Sequence, residues 1–130
     1  MVVDDDRAIV YLVKVIMERE QFEVMEAYDG LEAYNMLTAT DSGRPLPDVI
    51  ILDTLMPGMD GYTLQSKLRE TDGLNKIPVI VLTGKDNPMG DLFALSDNVF
   101  AFLEKPFEPR NLVKITKDAL ASRNRERALN

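Results

Sequence analysis

The chain of 130 residues contains no cysteine and no histidine. Without cysteine there can be no disulfide, thiol nucleophile or thiolate metal site, and a reducing compartment is permitted. The absence of histidine excludes a Ser-His-Asp triad, a zincin-type metal site and any phosphohistidine formed on this chain. Any chemistry must therefore use carboxylates, hydroxyl groups, lysine and arginine.

Positive charge is also scarce. Fifteen lysine and arginine residues stand against 22 acidic residues, which gives a net charge of −7. This excess argues against holding nucleic acid through its phosphates or docking on an anionic membrane. No apolar run approaches the length of a membrane span, and Met1–Asp6 is too short and too acidic for a signal peptide. The sequence predicts a cytoplasmic protein that contacts neither nucleic acid nor membrane directly.

The composition is typical of an ordinary globular domain. Hydrophobic residues make up 45% of the chain and charged residues 28%. The length lies close to the roughly 150 residues of one domain, and no internal repeat or Gly/Ser linker divides it. We expect one domain over residues 1–121, followed at 122–130 by a polar extension of the last helix or a truncated linker.

Short apolar segments alternate with segments of helical periodicity. The apolar segments predict strands at Met1–Val3, Phe22–Ala27, Val49–Leu52, Val79–Leu82 and Val99–Leu103. The helical segments surround Ile9–Ile16, Gly30–Ala39, Gly61–Asp72, Gly90–Asp97 and Leu112–Leu120. This alternation predicts a doubly wound α/β fold, in which a parallel sheet is covered by helices on both faces as a three-layer sandwich.

Polar residues follow four of the five predicted strands. Asp4–Asp6 follows the first, Asp53 the third, Thr83 the fourth and Lys105 the fifth. In an open parallel sheet the ligand site lies beyond the carboxyl ends of the strands. Each signal alone has a plainer explanation, since Asp5 or Asp6 could cap a helix and the others could belong to ordinary turns. Their occurrence together at one sheet edge favours a functional site.

The residue types at this edge indicate phosphoryl chemistry. Carboxylates forced together repel one another and attract a cation, and Mg²⁺ prefers one or two carboxylates together with water and phosphate oxygens. Asp53 is the candidate nucleophile, since a carboxylate can attack phosphorus to form an aspartyl phosphate. Lys105 offers a positive charge and Thr83 a hydroxyl donor to the phosphoryl oxygens.

Six stretches of the sequence together resemble one family. They are Val2–Asp6, Ala27–Ala33, Pro47–Asp53, Met56–Gly61, Ile77–Gly84 and Lys105–Phe107. Through these stretches the chain is similar, over nearly all its length, to the receiver domains of two-component response regulators.

The resemblance implies a flavodoxin-like (βα)5 fold with strand order 2-1-3-4-5. It also implies that Asp53 accepts a phosphoryl group from a histidine kinase or a phosphotransfer protein. Asp5 would bind Mg²⁺ directly and Asp4 through water, with Asp53 and the backbone carbonyl of Leu55 completing the protein ligands. A one-residue shift, with Asp5 and Asp6 as ligands, is the alternative alignment. Such a domain catalyses its own phosphorylation and slow dephosphorylation without being a conventional turnover enzyme.

The resemblance further implies a switch and an output face. The Thr83 hydroxyl would move toward the phosphoryl group, and Phe102 would swing inward behind it. Plain core packing is the other interpretation of Phe102. Output to an unknown partner would use the fourth helical segment, with its apolar Leu92–Leu95, the fifth strand and the fifth helix. We expect a monomer or weak dimer. The alternative function is an interaction module that acts without phosphorylation.

Overall fold

The computed structural model describes residues 1–39, 43–84 and 96–129. Its centre is a five-stranded sheet of parallel strands in the order β2-β1-β3-β4-β5. The strands are β1 (Val2–Val3), β2 (Glu26–Ala27), β3 (Ile50–Asp53), β4 (Val79–Thr83) and β5 (Val99–Glu104). The predicted fold class and strand order are both confirmed.

Four helices are described, and we number them in chain order. They are α1 (Arg7–Arg19), α2 (Gly30–Thr38), α3 (Gly61–Arg69) and the C-terminal helix α4 (Pro109–Leu129). An aspartate precedes each of the first three helices, and its carboxylate accepts a hydrogen bond from a first-turn amide, which satisfies a donor that the helix leaves unpaired. The predicted helix at 90–97, with the apolar Leu92–Leu95, lies almost wholly outside the described residues.

Each face of the sheet packs against its own apolar cluster. Ile50 and Leu52 belong to the cluster that contains α2 and α3 residues, whereas Ile51 belongs to the cluster that contains residues of α1 and α4. Successive side chains of a strand point to opposite faces, so a strand covered on both sides is apolar at every position. This explains the uninterrupted apolar run of β3 and fixes its end, Asp53, at the sheet edge.

The second strand is shorter than the predicted Phe22–Ala27. Only Glu26 and Ala27 pair with β1, whereas Phe22 and Val24 pack half-buried against the cluster beneath α1 and α4. The apolar pattern at 22–25 therefore reflects burial in a connecting segment, and the prediction of a six-residue strand was wrong.

The last helix runs through the charged tail. Residues 122–129 continue α4 to Leu129. Among the described residues, no helix combines the length and the apolar content that a bilayer crossing requires.

Candidate functional site

Strand register places the first and third strands level with each other at the carboxyl edge. Val3 lies opposite Leu52, so the next residues, Asp4 and Asp53, emerge side by side. Asp4 is fully buried and Asp53 nearly so. The two carboxylates thus share a poorly solvated crevice although 48 residues separate them in the chain.

Asp5 completes a cluster of three acids. One carboxylate oxygen from each of Asp4, Asp5 and Asp53 lies within 4.8 Å of the others, and Asp5 is exposed to solvent. At that separation two like charges repel by roughly 3 kcal/mol at an effective dielectric constant of about 20. Oxygen ligands at this spacing suit a hard divalent cation, so the acidic cluster is able to hold a metal.

Asp6 caps the first helix. Its Oδ1 accepts a hydrogen bond of 2.9 Å from the amide of Ala8, which caps α1, while its own amide donates to Asp4 Oδ1. The structure therefore groups Asp4 and Asp5 with Asp53, in agreement with the first alignment. Asp6, which the alternative alignment uses as a ligand, caps α1 in the structure.

Lys105 supplies the positive charge at the cluster. Its Nζ lies 2.8 Å from Asp4 Oδ2 and 3.1 Å from Asp53 Oδ1. The peptide bond to Pro106 is cis, and the amide of Lys105 donates to the carbonyl oxygen of Thr83 at 2.7 Å. Lys105 thus contacts residues at the ends of β1, β3 and β4.

Burial and mutual repulsion perturb the titration of these groups. Burial, and secondarily the charge of Asp4, raises the pKa of Asp53 to about 6, although Lys105 and the Thr54 amide oppose the rise. For Lys105, burial lowers the pKa, but the hydrogen bonds and charges of Asp4 and Asp53 outweigh it and leave the pKa raised. One lysine therefore compensates the carboxylates only in part, and a second cation would stabilise the ionised cluster.

Thr83 and Leu55 lie at the same edge of the sheet, whereas Phe102 lies within β5. Thr83 ends β4, one residue beyond the Leu82 that pairs with Asp53. Leu55 follows β3 closely, with its side chain about half exposed. Phe102 lies on the edge strand β5 opposite Val81 and is 40% exposed.

Gly61 brings α3 against the end of β3. Its amide donates to the Thr54 carbonyl oxygen at 3.0 Å. A Cβ at position 61 would lie only 2.1 Å from the carbonyl oxygen of Asp53, so any side chain would force the helix and the strand apart. Glycine at this position allows the start of α3 to pack directly against the backbone of Asp53.

A buried polar network was not predicted from the sequence. Gln65 of α3 is fully buried, donates from Nε2 to Asn98 Oδ1 and accepts from the Ser96 hydroxyl at 3.0 Å. Arg69 also lies 3.4 Å from that hydroxyl. The only sequence signal was a polar residue on the inward face of a helix, which does not identify its partners.

The chain matches the response regulator receiver domain model over residues 1–117. It is 34% identical over 113 residues to the response regulator GtcR of Aneurinibacillus migulanus, covering 87% of this chain and 43% of that protein. It is 38% identical over 108 residues to the response regulator PleD of Caulobacter vibrioides, covering 83% of this chain and 23% of that protein. The chain thus spans less than half the length of these two relatives.

Solved structures show the same architecture. A receiver domain protein from Methanospirillum hungatei superposes with a TM-score of 0.82 at 26% identity, covering 96% of this chain and 95% of that one. The signal receiver domain of a histidine kinase from Syntrophus aciditrophicus gives a TM-score of 0.80 at 32% identity, covering 93% and 88%. With the family model matched over most of the sequence, the chain belongs to the response regulator receiver domain family of two-component signalling.

Proposed function

We propose that this domain is a phosphorylation-dependent switch in which Asp53 accepts a phosphoryl group in the presence of Mg²⁺. The observation that carries the proposal is the convergence of Asp4, Asp5 and Asp53 around the ammonium group of Lys105 at one sheet edge. This arrangement joins a carboxylate nucleophile, oxygen ligands for a metal and a cation for the phosphoryl oxygens.

In the proposed phosphoryl transfer, one bond to phosphorus forms and one bond to phosphorus breaks. An oxygen of the ionised Asp53 attacks phosphorus, and the bond from phosphorus to the imidazole nitrogen of a phosphohistidine donor breaks. That nitrogen keeps the bonding electron pair and takes up a proton. The donor phosphohistidine, of a histidine kinase or a histidine phosphotransfer protein, lies outside these 130 residues, because they contain no histidine.

The proposed metal ligands and Lys105 would each help to stabilise negative charge at the site. Asp5 would bind Mg²⁺ directly and Asp4 through water, with Asp53 and the backbone carbonyl of Leu55 as the other protein ligands. When bound, Mg²⁺ would neutralise charge that builds up as the anionic phosphoryl group approaches the acidic cluster. Lys105, already 3.1 Å from Asp53 Oδ1, would move its hydrogen bond to a phosphoryl oxygen.

The conformational change would pass from the site through β4 and β5 to an output partner. Thr83 would donate its hydroxyl hydrogen bond to the phosphoryl group, and Phe102 would turn inward to fill the space behind it. The 40% exposure of Phe102 before modification leaves apolar surface to bury, which supports this direction of movement. The output partner would bind the face formed by the segment at 90–97, β5 and α4, and the domain would act in the cytoplasm as a monomer or weak dimer.

Mass spectrometry after incubation with acetyl phosphate and Mg²⁺ tests the proposal. We expect one added phosphoryl group on the wild-type chain, none without Mg²⁺ and none on Asp53→Asn. Asp118→Asn is the matched control because Asp118 is an exposed acid on α4, paired only with Lys114 among the described residues. An unmodified wild-type chain, or equal labelling of Asp53→Asn, would overturn the proposal and leave an interaction module that works without phosphorylation.

A further inference from the structure

A cavity lies at the amino ends of the strands, on the opposite side of the sheet from the acidic cluster. It has a volume of about 290 Å³ and is lined by the starts of β4 and β5 and by α4. The five residues of β4 separate it from the site at Thr83 by roughly 15 Å. It is therefore distinct from the proposed phosphorylation site.

Two residues that line this cavity carry buried donors without acceptors. Asn98 is 8% exposed, and while its Oδ1 accepts from Gln65, its Nδ2 has no partner among the described residues. The Nε and Nη1 atoms of Arg123 are also buried, and neither has an acceptor within the part of the chain that the structure describes. Native proteins rarely leave buried donors unpaired, and two such residues at one cavity indicate that it takes in an acceptor.

The guanidinium charge is incompletely compensated as well. Asp97 and Glu126 line the cavity, yet across residues 1–39, 43–84 and 96–129 no carboxylate comes within 4.0 Å of Arg123. Burial, followed by the nearby charge of Arg127, lowers the pKa of Arg123. Asp48 and Glu126 oppose that effect, and Asp48 is itself 3.5 Å from the Arg127 guanidinium. A water molecule would accept hydrogen bonds here but would bring no negative charge to the guanidinium.

We propose that this cavity binds a small oxyanion, a phosphate or a carboxylate, through Arg123 and Asn98. An oxyanion provides several acceptor oxygens and a negative charge, which the orphan donors and the guanidinium both require. Lys76, also on the cavity wall, adds a second positive charge. The carboxylates of Asp97 and Glu126 oppose anion binding, so affinity is weak and the site responds to concentrated ligands. The inference does not depend on phosphorylation of Asp53.

The test is a ¹H–¹⁵N NMR titration of the full chain without Mg²⁺, with inorganic phosphate as the probe. Sodium chloride keeps the ionic strength constant. We expect saturable shifts of the Asn98 side-chain amide, the Arg123 Nε–H signal and the backbone amide of Val99. A parallel titration with acetate shows whether carboxylates bind as well as phosphate does.

Arg123→Gln should weaken phosphate binding by about tenfold or more, because it removes a charged donor. Arg125→Gln is the matched control, since Arg125 lies on the exposed side of the same helix. Should Arg123→Gln not fold, the Asn98 side-chain signal of the wild-type protein still decides the matter. Shifts that only follow ionic strength, shifts confined to residues around Asp53, or equal affinity in Arg123→Gln would each overturn the proposal.

Discussion

Replacement of Gly61 by alanine tests whether close contact between α3 and β3 holds the proposed phosphoryl acceptor in place. The new Cβ would lie 2.1 Å from the Asp53 carbonyl oxygen and 3.1 Å from the Thr54 Cα. Non-bonded heavy atoms pack at about 3.5 Å, so the helix or the strand must move by more than about 1 Å. Both neighbours are backbone atoms, and no change of rotamer relieves the clash.

The expected loss follows from overpacking. Inserting a methyl group into a closely packed site costs about 1–3 kcal/mol, and the better helix propensity of alanine returns less than about 1 kcal/mol at this first position of α3. We therefore expect Gly61→Ala to lower the free energy of unfolding by about 1–3 kcal/mol. Urea denaturation measures this as a lower midpoint at an unchanged slope.

Gly84→Ala is the control for stability, because a Cβ built at Gly84 meets no atom of residues 1–39, 43–84 or 96–129 within 4 Å. Its free energy of unfolding should stay within about 0.5 kcal/mol of the wild type. A second measurement, the rate at which acetyl phosphate labels Asp53 under conditions where Gly61→Ala is folded, should be slower in Gly61→Ala. A wild-type urea midpoint for Gly61→Ala refutes the steric argument, and a lower midpoint with unchanged labelling refutes the link to Asp53.

Three further predictions concern the buried polar groups. The folded pKa of Asp53 is raised from 3.8 to about 6. The free energy of unfolding of the metal-free protein should therefore fall as pH rises between those values and stay constant, as far as Asp53 is concerned, above them. Asp53→Asn should remove this pH dependence in urea titrations. Lys105→Met should destabilise the metal-free protein by roughly 3 kcal/mol at neutral pH, since it leaves the Asp4 and Asp53 carboxylates without their cation. In thermal melts, MgCl₂ should restore much of this lost stability. Gln65→Met should cost about 1–3 kcal/mol in urea denaturation because it leaves Asn98 Oδ1 without its donor, and an unchanged midpoint would contradict this.

The sequence predicted the centre of the fold well because burial on both faces leaves a clear pattern. The predicted Val49–Leu52 lies one residue before β3 at both ends, and the predicted Val79–Leu82 stops one residue short of the end of β4. The same reasoning located the acidic cluster, since parallel strands bring their carboxyl ends to one edge. Which of Asp5 and Asp6 faces the cluster depends on where α1 begins, and the capping hydrogen bond of Asp6 decides it.

Features that depend on contacts between distant segments were harder to predict. At residues 22–25 the apolar pattern reports packing against a helix layer, which a strand and a connecting segment produce equally well. Gln65 gave no signal of its own, because its burial is favourable only once Ser96 and Asn98 are placed beside it. The exposure of Phe102 likewise follows from the position of β5 at the sheet edge, where one face of the strand is less covered.

Lys105 connects the acidic cluster to the strands that would carry the signal. Its side chain holds Asp4 and Asp53, while its backbone amide holds Thr83 at the end of β4. Phosphorylation of Asp53 would replace a carboxylate oxygen, as partner of the ammonium group, with a phosphoryl oxygen farther from the backbone. Because Lys105 directly follows β5, a shift of its position acts on the strand that carries Phe102. The electrostatic compensation of the buried acids and the proposed route of the conformational change would therefore depend on the same residue.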